Sequence, residues 1–455
     1  MRLLHTSDWH LGQSLHNFER GYEHQRFLDW LLDTLAAEQA DALLIAGDIF
    51  DNANPSSASQ KQLYRFLRQA GERLPRLNIV VIGGNHDSPG RLEAPGPLLE
   101  AHGTRVVGAV PRDAAGAIDL EQLVLPLTGA DGAVQAWCLA MPFLRPGDVP
   151  RPAPAAADDA ADAVDAADGA SAADAADATV PPGDPYLAGI ATLYRQALAL
   201  AEAKRQPGQA IVAMGHCHMV DGRMSQDSER RIVIGGTEML PAGIFGPAIA
   251  YAALGHLHLA QTVGKQGHIR YSGSPIPLSF AEIGYQHQVL RVDLDGAALA
   301  GVSAIPVPRA VQLLRVPARP APLDQVLAEL AALEFPAPAT DAADGDGHGE
   351  GTTPAAAPPI ETQPLLEVRV RLDAPEPGLR ARIEAALDGK PVRLAKIETS
   401  SGPRGAAPED ATLTLDQLDR LKPDDIFRQL YQQKFNAEAP AEQLSAFAEL
   451  MLPAA

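Results

Sequence analysis

Five short phrases carry residues of metal-binding type: Asp8 and His10 in "SDWH", Asp48 and Asp51 in "GDIFD", Asn85, His86 and Asp87 in "GGNHDS", and two histidines each in "GHCH" and "GHLH". Carboxylates, neutral imidazoles and an amide carbonyl suit a divalent ion of intermediate hardness such as manganese, iron or zinc, whereas pure oxygen sets suit magnesium or calcium. One ion cannot use so many ligands of this bulk. Two ions about 3.5–4 Å apart, bridged by a carboxylate and a water, can share such a set, and such pairs stabilise both the attacking and the leaving oxygen of a phosphoryl displacement. The chemistry to expect is hydrolysis of a phosphate ester. A lone D-x-H or G-H-x-H carries little weight, because His beside Gly is common in turns. Capping and turn roles explain any one phrase, but five together leave a rim of Asp and His whose desolvation nothing offsets.

The elements that must position these residues are legible as apolar runs. RLLHTS, ALLIAGD, NIVVIGGN, AIVAMGH and AIAYAALGH are rich in Val, Ile, Leu and Ala without alternation, as expected of strands buried on both faces. Each ends in or beside one of the phrases, and in α/β sheets ligands gather at the carboxyl ends of strands. Distant segments would thus converge on one rim. This alternation of strand, polar turn and helix fills residues 1–305. From 306 to 400 it gives way to AVQLLRVPA, a helical LDQVLAELAALEF, an alternating strand PLLEVRVRLD, a helical GLRARIEAALDG and VRLAKIETS, a β-α-β-α-β run suited to a small α+β domain. Residues 401–455 carry two amphipathic helical segments. The first opens on Pro423, Asp424 and Asp425 and aligns Phe427, Leu430, Tyr431 and Phe435; the second aligns Leu444, Phe447 and Leu450.

Composition narrows the class. The formal net charge of −20 disfavours nucleic-acid binding by the isolated chain, since neutralising phosphates needs Lys and Arg. More than half of that excess, however, sits in two stretches, 151–184 and 336–360, built of Ala, Asp, Pro and Gly. Neither can bury enough apolar area to offset its ordering entropy, so the first reads as a disordered insertion and the second as a flexible one. The remainder is only mildly acidic, and a partner could supply positive surface. Cys138 and Cys217 are too few for a disulfide framework or a zinc site of cysteine pairs. The opening MRLLHTSDWH lacks signal-peptide character and no run reaches the roughly 18 apolar residues of a membrane span, so a cytoplasmic protein without membrane contact is the expectation.

The order D-x-H, G-D-x-x-D, G-N-H-D, G-H, G-H-x-H resembles the calcineurin-like metallophosphoesterase superfamily, and implies an α/β sandwich of two mixed β-sheets flanked by helices. "MRLLHTSDWHLGQ", "EHQRFLDWLL", "AGDIFD", "GGNHDS", "PFLRP", "ALGHLH" and "YSGSPIPLSF" narrow the resemblance to the nuclease subunits of SbcCD-type complexes. It spans all three regions except the two Ala/Asp/Pro-rich stretches. Carried over by position, it implies Asp8, His10 and His258 on one ion, Asn85, His216 and His256 on the other, and Asp48 bridging, with manganese as the metal. His86 would face the scissile phosphate, and Asp51, in the position of the orienting carboxylate, would hold it. The resemblance further implies cleavage of DNA ends and hairpins, a capping role for 306–400, and a homodimer within a heterotetramer. No G-x-x-x-x-G-K-[ST] phosphate loop occurs in the chain, so ATP dependence would come from an SbcC-type coiled-coil ATPase docked on the C-terminal helices.

Two other readings compete. Another phosphodiesterase or phosphatase of the superfamily would need the same phrases but not the capping and terminal regions. A DNA-end tethering scaffold would not need the full ligand set. Among the remaining histidines, His5 reads as core, and His16, His24, His102, His268 and His287 as surface or structural. His218 reads as a passenger beside His216, and Cys217 as a small filler.

Overall fold

The computed structural model describes residues 1–150, 184–220, 222–224, 239–335, 358–372, 374 and 376–401, with 427–428, 431–432, 440 and 443–444 near the end. Residues 1–371 and 376–400 make one compact unit; 372–375 with 401–455 make a second. In the second, the rings of Phe427 and Tyr431 lie 6.1 Å apart. Leu430, Phe435, Phe447 and Leu450 lie outside the described residues, as do the stretches 151–183 and 336–357.

In the first unit the chain runs through β1 (Arg2–Thr6), a short hairpin of β2 (Ser14–Leu15) and β3 (Phe18–Glu19), α1 (Gly21–Ala37), β4 (Ala42–Ala46), α2 (Ser57–Arg73) and β5 (Asn78–Ile82). Short helices α3 (Pro89–Glu93) and α4 (Gly96–Leu99) lead to β6 (Thr104–Val107), β7 (Val124–Thr128) and β8 (Val134–Ala140). Then come α5 (Pro185–Lys204), β9 (Ala210–His216), β10 (Tyr251–Gly255), β11 (Gln261–Val263), β12 (Gln266–Tyr271), β13 (Gln288–Asp295) and β14 (Ala298–Pro306). The β-α-β-α-β run follows as β15 (Leu313–Pro322), α6 (Leu323–Ala331), β16 (Leu365–Leu372), α7 (Leu379–Ala386) and β17 (Arg393–Ser401).

Two six-stranded sheets, ordered β14-β13-β1-β4-β5-β6 and β11-β12-β10-β9-β8-β7, carry the metal-binding phrases. Both are mixed: β1, β4, β5 and β6 run parallel with β13 antiparallel to β1, while β8, β9, β10 and β12 run parallel with β7 and β11 antiparallel at the edges. Strand periodicity explains why the runs are apolar throughout. Ala42, Leu44 and Ala46 of β4 point into the core shared by the two sheets, with Val212 and Leu254 opposite. Leu43 and Ile45 point the other way, against Phe27, Leu31, Leu63 and Phe66 of α1 and α2. A strand with helices on one face and a sheet on the other has no solvent face to make polar. Helix starts use local chemistry: Ser56 accepts from Ser59 N to cap α2, and Asp184 accepts from Tyr186 N and Leu187 N ahead of Pro185 to cap α5.

A third sheet, ordered β15-β16-β17, packs within the same unit beside the β2–β3 hairpin through a small apolar cluster of Leu15, Phe280, Val311, Leu313 and Leu365.

Candidate metal centre

The carboxyl ends of β1, β4, β5, β9 and β10 all open on one rim, and all seven ligand-type residues meet there. Backbone conformation turns the chain sharply at those ends. Asp8, His10, Asp48 and His256 have φ of 55°, 46°, 50° and 103°. Positive φ costs a non-glycine residue on the order of 1–3 kcal/mol, and strain held this way concentrates at functional sites. Close approach demands glycine at Gly47, where φ is +88° and a Cβ would lie 2.3 Å from His216 Nδ1, and at Gly84, where it would lie 2.1 Å from Asp48 Oδ1.

Asp48 is the centre of the cluster. Its Oδ1 accepts from His86 N at 2.9 Å. Its Oδ2 faces three imidazole nitrogens, His216 Nε2 at 3.4 Å, His10 Nε2 at 3.6 Å and His86 Nε2 at 4.0 Å. Burial opposes the charge on Asp48, but His216, then His10 and His86, outweigh it and hold the carboxyl well below the usual carboxylate range. Asp8, His10 and His258 offer ligand atoms within 4.8 Å of one another, Asp8, Asp48 and His216 make a second such group, and His10, Asp48 and His86 a third. Asn85 Oδ1 lies 3.0 Å from His216 Nε2 and 3.2 Å from His256 Nδ1, which brings the amide to the second group.

The surroundings fit a pair of cations. His216 Nδ1 donates to Ala46 O at 2.9 Å and His258 Nδ1 to Glu282 Oε1 at 2.9 Å, so each ring presents Nε2 to the cluster. His10 Nε2 and His256 Nε2 are buried with no hydrogen-bond partner among the described residues. Asp8 is fixed by Ser7 Oγ at 2.5 Å and by His256 N at 3.0 and 3.2 Å. Without a cation in place, His216 is pushed up to about 9: burial lowers it, and Asp48 more than reverses the effect. His256 goes the other way, lowered by burial and by the neighbouring His216.

His86 Nδ1 donates at 2.7 Å to the main-chain carbonyl of Asp51. The Asp51 carboxylate, which the resemblance casts as the group that orients His86, lies 3.4 Å from His10 Nδ1. His86 and His10 meet edge to face at 4.8 Å. His218 is buried, with its Nε2 3.4 Å from Gly222 O and its ring 6.2 Å from that of His256. His5 is core, as read: its Nδ1 pairs with Tyr251 Oη at 2.9 Å and its Nε2 donates to Leu254 O at 3.1 Å, with burial pushing it down to about 3.

Two residues were missed from the sequence as site residues. Asp87 belongs to "GGNHDS" but had no role; it accepts from Gly84 N, Phe50 N and Ile49 N at 2.9, 3.0 and 3.1 Å, tying the β4 and β5 loops together. Glu282 stands in no metal-binding phrase, and only the fold reveals that it reaches His258.

Fold and rim together define a calcineurin-like phosphoesterase, and residues 1–130 match the family model of that description, which implies divalent metal binding. Residues 309–435 match a second model, described as type 5 capsule protein repressor C-terminal domain. The chain is 38% identical over 423 residues to SbcD, the nuclease component of SbcCD, from Rhodobacter capsulatus, covering 91% of this chain and 92% of that protein. It is 37% identical to the Escherichia coli protein of the same name, over 68% of each, and 33% identical to that of Bacillus subtilis, over 64% of this chain and 66% of the relative. The chain belongs to the SbcD family. No helix among the described residues is long and apolar enough to cross a membrane.

Proposed function

We propose that this chain is the nuclease subunit of an SbcCD-type complex and hydrolyses DNA phosphodiester bonds at double-strand ends and hairpins. The observation that carries the reading is Asp48 Oδ2 facing three imidazole nitrogens, within a rim of six further ligand-type residues. Asp8, His10 and His258 would hold one ion and Asn85, His216 and His256 the other, with Asp48 shared between them. Two manganese ions supply, when bound, Lewis acidity at the phosphate and an acidified attacking water. The residues do the rest. His86, with Nδ1 committed to Asp51 O, keeps Nε2 for a proton destined for the leaving 3′ or 5′ oxygen.

In this reading residues 1–305 are the nuclease domain, 306–400 cap it, and 401–455 dock a coiled-coil ATPase, which supplies the nucleotide site that the chain's phrases lack. The assembly is a heterotetramer around a nuclease homodimer, in the cytoplasm. Assay of the purified chain with Mn2+ on linear duplex DNA, hairpin DNA and a small phosphodiester, beside His86→Ala, tests the substrate class. Cleavage of both DNA forms is expected; activity on the small ester alone rejects the nuclease reading. Co-purification with a large ATPase, lost on truncation after Gly405, tests the partner.

A further inference from the structure

The segment Pro277–Tyr285 is held by its main-chain carbonyls from three directions. Arg20 Nη1, beside the β2–β3 hairpin, donates to Pro277 O, and Gln13 Nε2 donates to Leu278 O at 2.9 Å. Arg315 Nη2 on β15 donates to Phe280 O at 2.7 Å. Arg309, ahead of β15, donates to Ile283 O at 3.2 Å from both terminal nitrogens and to Tyr285 O at 3.5 Å. In the middle of this strap Glu282 is wholly buried. Its Oε1 accepts from His258 Nδ1 at 2.9 Å, and its Oε2 accepts from Leu278 N at 2.8 Å and Ser274 Oγ at 3.5 Å. Ser274 N in turn donates to His258 O at 3.1 Å. The ring of His258 is therefore fixed by Glu282 of the strap and its carbonyl by Ser274 just ahead of it.

We infer that Glu282 is a positioning residue for the metal ligand His258, and that Arg315 makes the ion held by His258 depend on the third sheet through this strap. The inference rests on the two-ion reading of the rim. A carboxylate on Nδ1 fixes the tautomer that leaves Nε2 to the metal and raises the basicity of that nitrogen. Arg315 is suited to link sheet and strap because its Nε also bonds the buried Glu367 of β16, which fixes the guanidinium at both ends. Glu367 keeps Lys396 Nζ at 3.1 Å when Arg315 is removed, so the sheet retains a partner for that charge.

Calorimetric titration of the full chain with Mn2+, with ions per chain counted by elemental analysis, tests the inference. Wild type takes up two ions. Glu282→Gln keeps the shape and an acceptor oxygen, and weakens one of the two ions roughly 10- to 100-fold while leaving the other unchanged. Arg315→Ala weakens the same ion, by roughly 2- to 30-fold. Arg369→Ala removes ion pairs to Glu398 and, at 3.7 Å, to Glu367 on the same sheet, keeps the Arg315 bond to Phe280 O in place, and leaves both affinities as they were. If Glu282→Gln lowers only the metal-free melting temperature and both ions bind as in wild type, Glu282 is structural and the inference is overturned. Equal weakening by Arg315→Ala and Arg369→Ala overturns the role of Arg315. A wild-type chain that takes up fewer than two ions instead fails the reading of the rim itself.

Discussion

His216 Nε2 lies 3.0 Å from Asn85 Oδ1, while Nδ1 of the same ring donates to Ala46 O. In the neutral ring this sets a lone pair against a carbonyl oxygen, with Asp48 Oδ2 a further 3.4 Å contact. Such a group of acceptors needs a cation among them, a proton or a metal ion. His216→Ala removes a ligand from that group and costs the chain one ion. His218→Ala is expected to leave both ions and most activity, since the His218 Nε2 is engaged 3.4 Å from Gly222 O. Elemental analysis of the two variants after dialysis checks this; equal loss from both contradicts it.

The same contest between proton and metal sets a pH dependence. With His216 pushed up to about 9 in the metal-free chain, ion uptake must displace its proton, so affinity for Mn2+ rises from pH 6.5 to 9 and proton release accompanies binding. For stability the sign is opposite. A folded-state value raised above 6.5 contributes stability that is complete below pH 6.5 and is lost as pH rises through about 9. Calorimetry in buffers of different ionisation enthalpy and metal-free melting curves across this range check both signs.

Much of the rim was legible in the sequence, because each ligand type stands beside an apolar run long enough to be a strand, and the carboxyl ends of neighbouring strands must meet. The five runs form β1, β4, β5, β9 and β10, and the β-α-β-α-β order after residue 306 was legible too, whereas the two-sheet arrangement came from the family resemblance. The contact made by Asp51 was not legible. A main-chain carbonyl is common to every residue, so no side-chain type marks which one the His86 ring finds. Glu282 was hidden for a different reason: its partner His258 lies in another segment, and a turn of irregular chain carries no periodicity to mark which face is inward.

Among the described glycines, Gly84 packs most tightly against the Asp48 carboxylate. A methyl group there overlaps Asp48 Oδ1 at 2.1 Å and Asp48 N at 2.3 Å, both part of the rim and unable to move without changing the cluster. Gly84→Ala is expected to fold and to lose hydrolytic activity by at least about 100-fold, the scale on which small misplacements act. A steady-state assay beside a circular dichroism spectrum checks it; wild-type turnover would show that the rim yields.

Asp87 holds two loops at once. Burial first, and Asp48 second, push its carboxyl up to about 6, against the three main-chain N–H groups that favour the charge. Asp87→Asn keeps the shape but loses one acceptor oxygen, leaving main-chain donors of Ile49, Phe50 or Gly84 unmatched in a buried site. The cost is about 1–3 kcal/mol, measured by urea unfolding of the metal-free chain.

The bridging of two ions by Asp48 is tested most directly by electron paramagnetic resonance of the full chain loaded with Mn2+. Wild type and His86→Ala are expected to hold two ions per chain with the exchange-coupled spectrum of a pair about 3.5–4 Å apart. His86→Ala is expected to lose roughly 100- to 10,000-fold in DNA hydrolysis all the same, since the proposed role of His86 is to move a proton rather than to hold an ion. His216→Ala gives a single uncoupled ion. One uncoupled ion in the wild-type chain, or an ion lost with His86, would contradict the account.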